Sequence, residues 1–221
     1  MDYDLMAMSD VCTYVWWAEY HDIPLKFDVT DEQTVWCQVA SDQFTYEWFT
    51  ASEDYHKLGM NQMLNFVMET FKVVFEGADV TQQPVISKNV FSENSIYTDS
   101  LPYLMVLLGH NETLQPLLRS LGIDRLKKVN VSSAVFFEFS EDADGAQYVG
   151  VNMRDDTGFV SDLKLPCAEK DLDGRKVCTA EAFKGFLTKK LEESAAVYDK
   201  TDYVAPTKFA DTKTYAKGLY E

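Results

Sequence analysis

The clearest periodicity in the chain runs from Gly59 to Phe75. There Met60, Met63, Leu64, Val67, Met68, Phe71 and Phe75 recur at spacings of three and four, which places them on one helical face. Methionine is unbranched and fills irregular gaps, so this stripe reads as core filling rather than as a binding surface. Gly77 is placed to end the helix. Upstream, Leu5 to Tyr20 is rich in apolar and aromatic residues, and Asp31-Glu32-Gln33-Thr34-Val35-Trp36 opens a second helical pattern just after Thr30. Residues 1–90 therefore read as mainly helical, with Asp79 to Ser100 a polar connection holding one proline.

The pattern changes after residue 100. Tyr103 to Leu108 is six consecutive apolar or aromatic residues, the length and composition of a fully buried strand. Beyond Thr113, Leu114, Leu117, Leu118 and Leu121 fall on one helical face, closed by Gly122. Two further strands, ending near Phe139 and spanning Tyr148 to Arg154, are joined through Glu141-Asp142-Ala143-Asp144-Gly145, a hairpin signal. Phe159 to Leu165 is a third extended piece, and Thr179 is placed to cap a helix over Glu181 to Leu191. The predicted class is α/β, with residues 91–193 forming the α/β portion. Residues 194–221 carry Tyr198, Tyr203, Val204, Pro206, Phe209, Tyr215 and Tyr220 among polar residues with little periodicity. Such a segment suits an extended tail that lays aromatic anchors along another surface, or one that folds back on its own domain.

Composition fits a globular chain: 221 residues with 46% hydrophobic and 14% aromatic side chains can bury a sizeable core. A formal net charge of −16 argues against nucleic acid as a partner, because replacing counterions on phosphate needs basic patches. No run reaches the roughly 18 apolar residues of a membrane span. The acidic start Met1-Asp2-Tyr3-Asp4 lacks the basic region of a signal peptide. No two of the four cysteines are separated by two residues as a zinc knuckle requires, and no metal or other cofactor is expected.

The densest chemistry lies in Gly109-His110-Asn111-Glu112-Thr113-Leu114-Gln115-Pro116-Leu117-Leu118, where an imidazole and a carboxylate meet the start of a helix. In open α/β sheets ligands gather at the C-terminal ends of strands, and a helix N-terminus offers free N–H groups to an anion. His110 thus reads as a phosphate ligand and Glu112 as an acid. The plainer reading is that Glu112 is a helix-start carboxylate favoured by the helix dipole and His110 a hydrogen-bonded junction residue.

This block, G-H-x-E-T-L-x-P-L-L, resembles the second catalytic motif of the histidine acid phosphatases, most closely the branch of multiple inositol polyphosphate phosphatases. Around it, Asp10-Val11-Cys12-Thr13-Tyr14 with Cys37 is similar to a cysteine pair of fungal phytases. Leu165-Pro166-Cys167, Asp173-Gly174-Arg175, Cys178 and Phe183-Lys184-Gly185-Phe186-Leu187 resemble the phytases' C-terminal cysteine hairpin and the helix after it. Val131-Ser132-Ser133 to Phe139 and Tyr148 to Arg154 match the family's closing strands. The resemblance covers about Asp10 to Leu191. It implies the C-terminal portion of a histidine-phosphatase-like mixed sheet flanked by helices, with disulfides Cys12–Cys37 and Cys167–Cys178. It also implies His110 as a phosphate ligand and Glu112 as the acid that protonates the leaving alkoxide. In many members that acid is an aspartate directly after the histidine, where this chain has Asn111.

The family's nucleophile motif, R-H-G-x-R-x-P, is absent. The remaining histidines, His21 in Glu19-Tyr20-His21-Asp22 and His56 in Asp54-Tyr55-His56-Lys57, have neither arginine nor glycine beside them. The chain therefore reads as the C-terminal half of a histidine acid phosphatase-like protein, not active alone, that hydrolyses phosphomonoesters through a phosphohistidine only with a separate or cleaved N-terminal half. The alternative is a catalytically inactive, phosphatase-derived structural subunit of a larger assembly. Both imply a protein partner. The cysteine pattern points to secretory or organelle-lumen ancestry. Without a signal, that pattern implies either that Met1 is not the start of the gene product or that the cysteines are an inherited, reduced relic. Of two glycosylation acceptors, Asn111 and Asn130, only Asn130 is compatible with an open site. Arg119, Arg125, Lys127 and Lys128 are the nearest cations in sequence and read as phosphate-holding groups or as a solvated face.

Overall fold

A computed structural model describes residues 3–50, 53–90, 101–102, 104–107, 109–123, 129–130 and 132–198. Side chains are described for these except at 3–9, 43–50, 53–55, 88–90, 111–112 and 198. Among the described residues the chain is mixed α and β, with six α-helices and a five-stranded antiparallel sheet.

The helices α1 (Tyr3–Tyr20), α2 (Asp31–Thr50) and α3 (Glu53–Glu76) come first, in line with the helical reading of the N-terminal part. Thr30 opens α2 through a reciprocal cap: its Oγ1 accepts from the Gln33 N–H at 3.2 Å, and its own N–H donates to Gln33 Oε1 at 2.9 Å. Gly77, at φ +64°, ends α3 in the left-handed conformation that glycine adopts without a Cβ penalty. The connection predicted after it is more ordered than its polarity implies. It holds a 3₁₀ turn, Val80–Gln82, and a helix α4, Pro84–Val90, whose proline occupies the first helical position, where no N–H is needed. Residues 91–100 lie outside the described residues.

What makes α4 possible is a contact across sequence. Glu69 of α3 is 7% exposed, and its carboxylate accepts the N–H groups of Val85 (2.9 Å) and Ile86 (2.8 Å), capping α4 from a neighbouring helix. Below it Phe66, Val80 and Ile86 form a small core that Leu101 and Met105 also join.

The main core lies on the other side of α3. Met60, Leu64, Val67, Met68 and Phe71 are buried against α5 (Asn111–Ser120), α6 (Ala180–Tyr198) and the sheet, so the methionine stripe is core filling. The sheet runs β1 (Ala134–Glu141), β2 (Gln147–Arg154), β5 (Arg175–Thr179), β4 (Lys170–Leu172), with β3 (Val160–Asp162) pairing β2 beyond the end of β5. Strand β1 alternates, with Val135, Phe137 and Phe139 turned to the core, while β2 is buried along Tyr148–Met153. The predicted hairpin between them forms: Asp142 accepts the N–H groups of Asp144 (3.0 Å) and Ala146 (2.9 Å) and the Tyr148 hydroxyl (3.0 Å), and Gly145 takes φ +81°. Thr179 caps α6 through a 3.3 Å bond from the Ala182 N–H.

Two expectations need correction. The run Tyr103 to Leu108 is not a buried strand: its described residues, Leu104 to Leu107, belong to no ladder, and Leu104, Val106 and Leu107 are 72%, 70% and 51% exposed. A central strand needs neighbours for its N–H and C=O groups, and none of the five described strands lies beside it. Helix α6 also runs past Leu191 and Glu193 to Tyr198, with Ser194 and Val197 buried, so the expected tail loses its first five residues, 194–198, to the helix. The Ser194 Oγ accepts from Asn61 Nδ2 (2.7 Å) and donates to the Lys57 carbonyl (2.9 Å), which pins that last stretch to α3. Residues 199–221 lie outside the described residues.

Both disulfides implied by the phytase resemblance are present, Cys12–Cys37 between α1 and α2 and Cys167–Cys178 between the loop before β4 and strand β5. Replacing either pair by alanine is expected to lower stability by roughly 2–4 kcal/mol, measured by chemical denaturation. Unchanged denaturation midpoints, or free thiols in non-reducing peptide maps, would contradict this.

Glu69→Ala leaves the buried N–H groups of α4 without an acceptor and should cost about 1–3 kcal/mol, with Glu69→Gln costing less because an amide oxygen remains. Equal losses from the two variants would show that the cap is not the reason.

The Ala146 N–H bond, foremost, holds the Asp142 carboxyl below the ordinary aspartate value of 3.8. A depressed folded value means that the stabilisation is present above about 3.8 and is lost as pH falls through the folded value. Acid titration should therefore weaken the β1–β2 hairpin below that pH, and in Asp142→Asn this part of the pH dependence should vanish, as followed by amide exchange.

Candidate functional site

Helix α5 carries the candidate site at its N-terminus. His110 is its N-cap residue, extended at φ −107° and ψ 170°, and its carbonyl accepts the N–H groups of Thr113 (2.9 Å) and Leu114 (3.2 Å). The His110 side chain makes no capping bond and is exposed. Cap residues normally use an acceptor side chain to satisfy a helical N–H. The use of histidine without that bond leaves an imidazole at the positive end of a helix. Gly109 has a steric reason to be glycine: an added Cβ would sit 3.3 Å from Thr113 Cβ and Oγ1, so a side chain there would press on the first helical turn.

Glu112 is the second residue of α5; its side chain, like that of Asn111, lies outside the described residues. Its backbone has a peculiarity readable from sequence. Pro116, four residues on, has no N–H, so the Glu112 carbonyl has no partner in the usual helical ladder.

The rest of α5 is held rigidly. Leu117, Leu118 and Leu121 are buried in the main core, with Leu114 partly so, and Gly122 closes the helix at φ +79°, as the periodicity predicts. Buried Gln115 accepts the Val129 N–H at 3.2 Å, and buried Ser120 places its hydroxyl 2.9 Å from the Pro116 carbonyl and 3.3 Å from that of His56.

His56 is therefore at the far end of α5. Ten residues at 1.5 Å per residue put about 15 Å of helix between Ser120 and His110, too far for the two imidazoles to share a phosphate. Arg119 is in the last turn, at the same far end, so it is not a ligand for an anion at His110. Arg125, Lys127 and Lys128 lie outside the described residues. His21 sits against the rings of Trp17 (4.6 Å) and Tyr20 (5.1 Å) at the end of α1. Asn130, the remaining glycosylation acceptor, donates to Asp156 Oδ2 at 2.9 Å. Among the described residues no group of three or more His, Cys, Asp or Glu side chains could hold a metal ion.

A feature that sequence reading missed is an open groove of about 470 Å³ between α3 and α6, lined by Asn61, Asn65, Lys72, Lys184 and Thr188 among others. Its polar groups are largely committed to structure: Asn61 to Ser194, Asn65 to Asn61, and Lys184 to Glu76 at 2.5 Å. Nothing in the sequence marks it, because its lining comes from the polar edges of two helices more than a hundred residues apart. The carboxyls held below their ordinary value, those of Asp79, Asp142 and Asp171, cap turns away from His110; the first-ranking causes are bonds from Thr81, Ala146 and Lys176 respectively.

The described arrangement thus offers one exposed imidazole at a helix N-terminus on a rigid support, without a second histidine or an arginine beside it. No known protein-family model matches the chain, and no curated protein matches it.

Proposed function

We propose that the chain supplies one side of a phosphomonoesterase site of the histidine acid phosphatase type, with His110 as a phosphate ligand and Glu112 as the acid for the leaving alkoxide, and that it is inactive alone. The observation that carries this reading is the approach to His110. The run Leu104 to Leu107 reaches the helix N-terminus with Met105 packed inward on the small core and Leu104, Val106 and Leu107 facing solvent. An apolar strand that ends at a phosphate-binding helix N-terminus is the centre of an α/β crevice, and here its flank is open. A nucleophile-bearing half packed on that flank would cover the apolar side chains and bring the missing histidine and arginines to His110. In that complex the helix N-terminus and His110 would hold phosphoryl oxygens, and Glu112 would protonate the departing oxygen, a contribution of roughly 10²–10⁴ in rate.

The second reading is an inactive descendant kept as a structural subunit. The net charge of −16, unfavourable for a polyanionic substrate, supports it.

The isolated chain should release no phosphate from p-nitrophenyl phosphate or inositol hexakisphosphate between about pH 4 and 7.5, a range that spans carboxylate and histidine titration. Turnover above a His110→Ala control would refute inactivity alone. Co-expression with a half carrying R-H-G-x-R-x-P should restore activity, and Glu112→Gln should then lower kcat by about 10²–10⁴. A stable complex without activity would favour the structural subunit.

A further inference from the structure

The hairpin of α1 and α2 presents a surface unrelated to His110. Its inner side is closed by the Cys12–Cys37 bond and by buried Val15, Ala18 and Ser41. The principal packing partner of α1 among the described residues is α2. Its outer side is aromatic. Tyr14, Trp17 and Tyr20 are 47%, 47% and 66% exposed, and on α2 Val35, Trp36 and Val39 are 64%, 50% and 58% exposed. Spacings of three and four residues put these side chains on continuous helical stripes, an arrangement that normally faces a core. Between the helices, Ile23 and Phe27 are also exposed.

The charge around these stripes has one sign. Residues 10–42 carry six exposed carboxylates, Asp10, Glu19, Asp22, Asp28, Asp31 and Glu32, against the single cation Lys26. Like charge opposes a second copy of this chain, an anionic membrane or a nucleic acid on the face. Trp17, Trp36 and Tyr14 instead offer ring faces that attract ammonium and guanidinium groups, and tryptophan and tyrosine dominate the energetics of protein interfaces.

We propose that the outer face of the α1–α2 hairpin docks a cationic amphipathic helix of another protein, whose apolar side chains rest on Trp17, Val35 and Trp36 while its lysines and arginines meet Asp10, Glu19 and Glu32. The disulfide serves this surface by holding the two stripes in fixed register, so little ordering entropy is spent on binding. The interaction stands whether or not His110 and Glu112 belong to a working phosphatase site.

The test uses the full chain and a synthetic helix-forming peptide of leucine and lysine, with a leucine–glutamate peptide of the same pattern as control, followed by calorimetry at low and high salt. The lysine peptide should bind at least about tenfold tighter than the glutamate peptide and weaken with salt. Trp17→Ala with Trp36→Ala should weaken binding about tenfold, as loss of interface aromatics does. Phe159→Ala with Val160→Ala, exposed apolar residues on the sheet, should leave it unchanged. Should the tryptophan variant lose its circular dichroism, Glu19→Lys with Glu32→Lys gives the same reading through charge. Equal binding of the two peptides, or equal loss in the sheet variant, overturns the proposal. So do carbodiimide cross-links that place residues 203–220 of the same chain on the face, or self-association abolished by the tryptophan variant.

Discussion

Burial of helix α3 on two sides is the constraint from which the rest of the structure follows. One side, Met60, Leu64, Met68 and Phe71, meets α5, α6 and the sheet; the other, Phe66 with Glu69 beside it, supports α4 and the start of the segment leading to His110. Each large apolar side chain removed from water contributes about 1.5–3 kcal/mol. Removing α3 would therefore expose both cores at once. It also sets where the candidate site stands, since α5 packs on α3 through Leu117, Leu118 and Leu121, and His110 projects from the end of a helix that cannot shift without disturbing that core.

The polar contacts serve the same framework. Glu69 caps α4, Gln115 holds the chain at Val129, and Ser194 ties the end of α6 to Asn61 and Lys57. In each case a buried polar side chain satisfies backbone groups, or a partner, far away in sequence, which makes the group costly to remove. The surface ion pairs contribute little by comparison. Arg175–Glu138, at 2.7 Å across the sheet, is nearly half exposed on both sides, where solvent screens most of the attraction.

Two surfaces remain that this framework does not use, the flank of Leu104 to Leu107 and the outer face of the α1–α2 hairpin. They differ in chemistry. The first is aliphatic and leads to the candidate phosphate ligand, as a sheet interior would. The second is aromatic and ringed by carboxylates. A chain that exposes both suits a life inside an assembly, with one neighbour completing a sheet and another held by charge and ring faces.

Much was legible in the residues alone because its causes are local. Period fixes which face of α3 and α5 is apolar; Thr30, Thr179, Gly77 and Gly122 mark helix ends through caps and positive φ; Asp142 to Gly145 specify a hairpin; and the cysteine pairs close short loops. The candidate site was legible as the Gly109-His110-Asn111-Glu112 junction, with the helix start where the pattern put it. Tertiary structure decided the rest. An apolar run is compatible with a buried strand, yet whether Leu104 to Leu107 is one depends on neighbours that its own sequence does not contain. Helix α4 and the last turn of α6 read as polar connection and tail, because the groups that stabilise them, Glu69 and Asn61, sit on α3, outside any local window. The separation of His56 and Arg119 from His110 likewise follows from the length of α5 and from which of its ends meets α3, a relation between distant segments that periodicity does not encode.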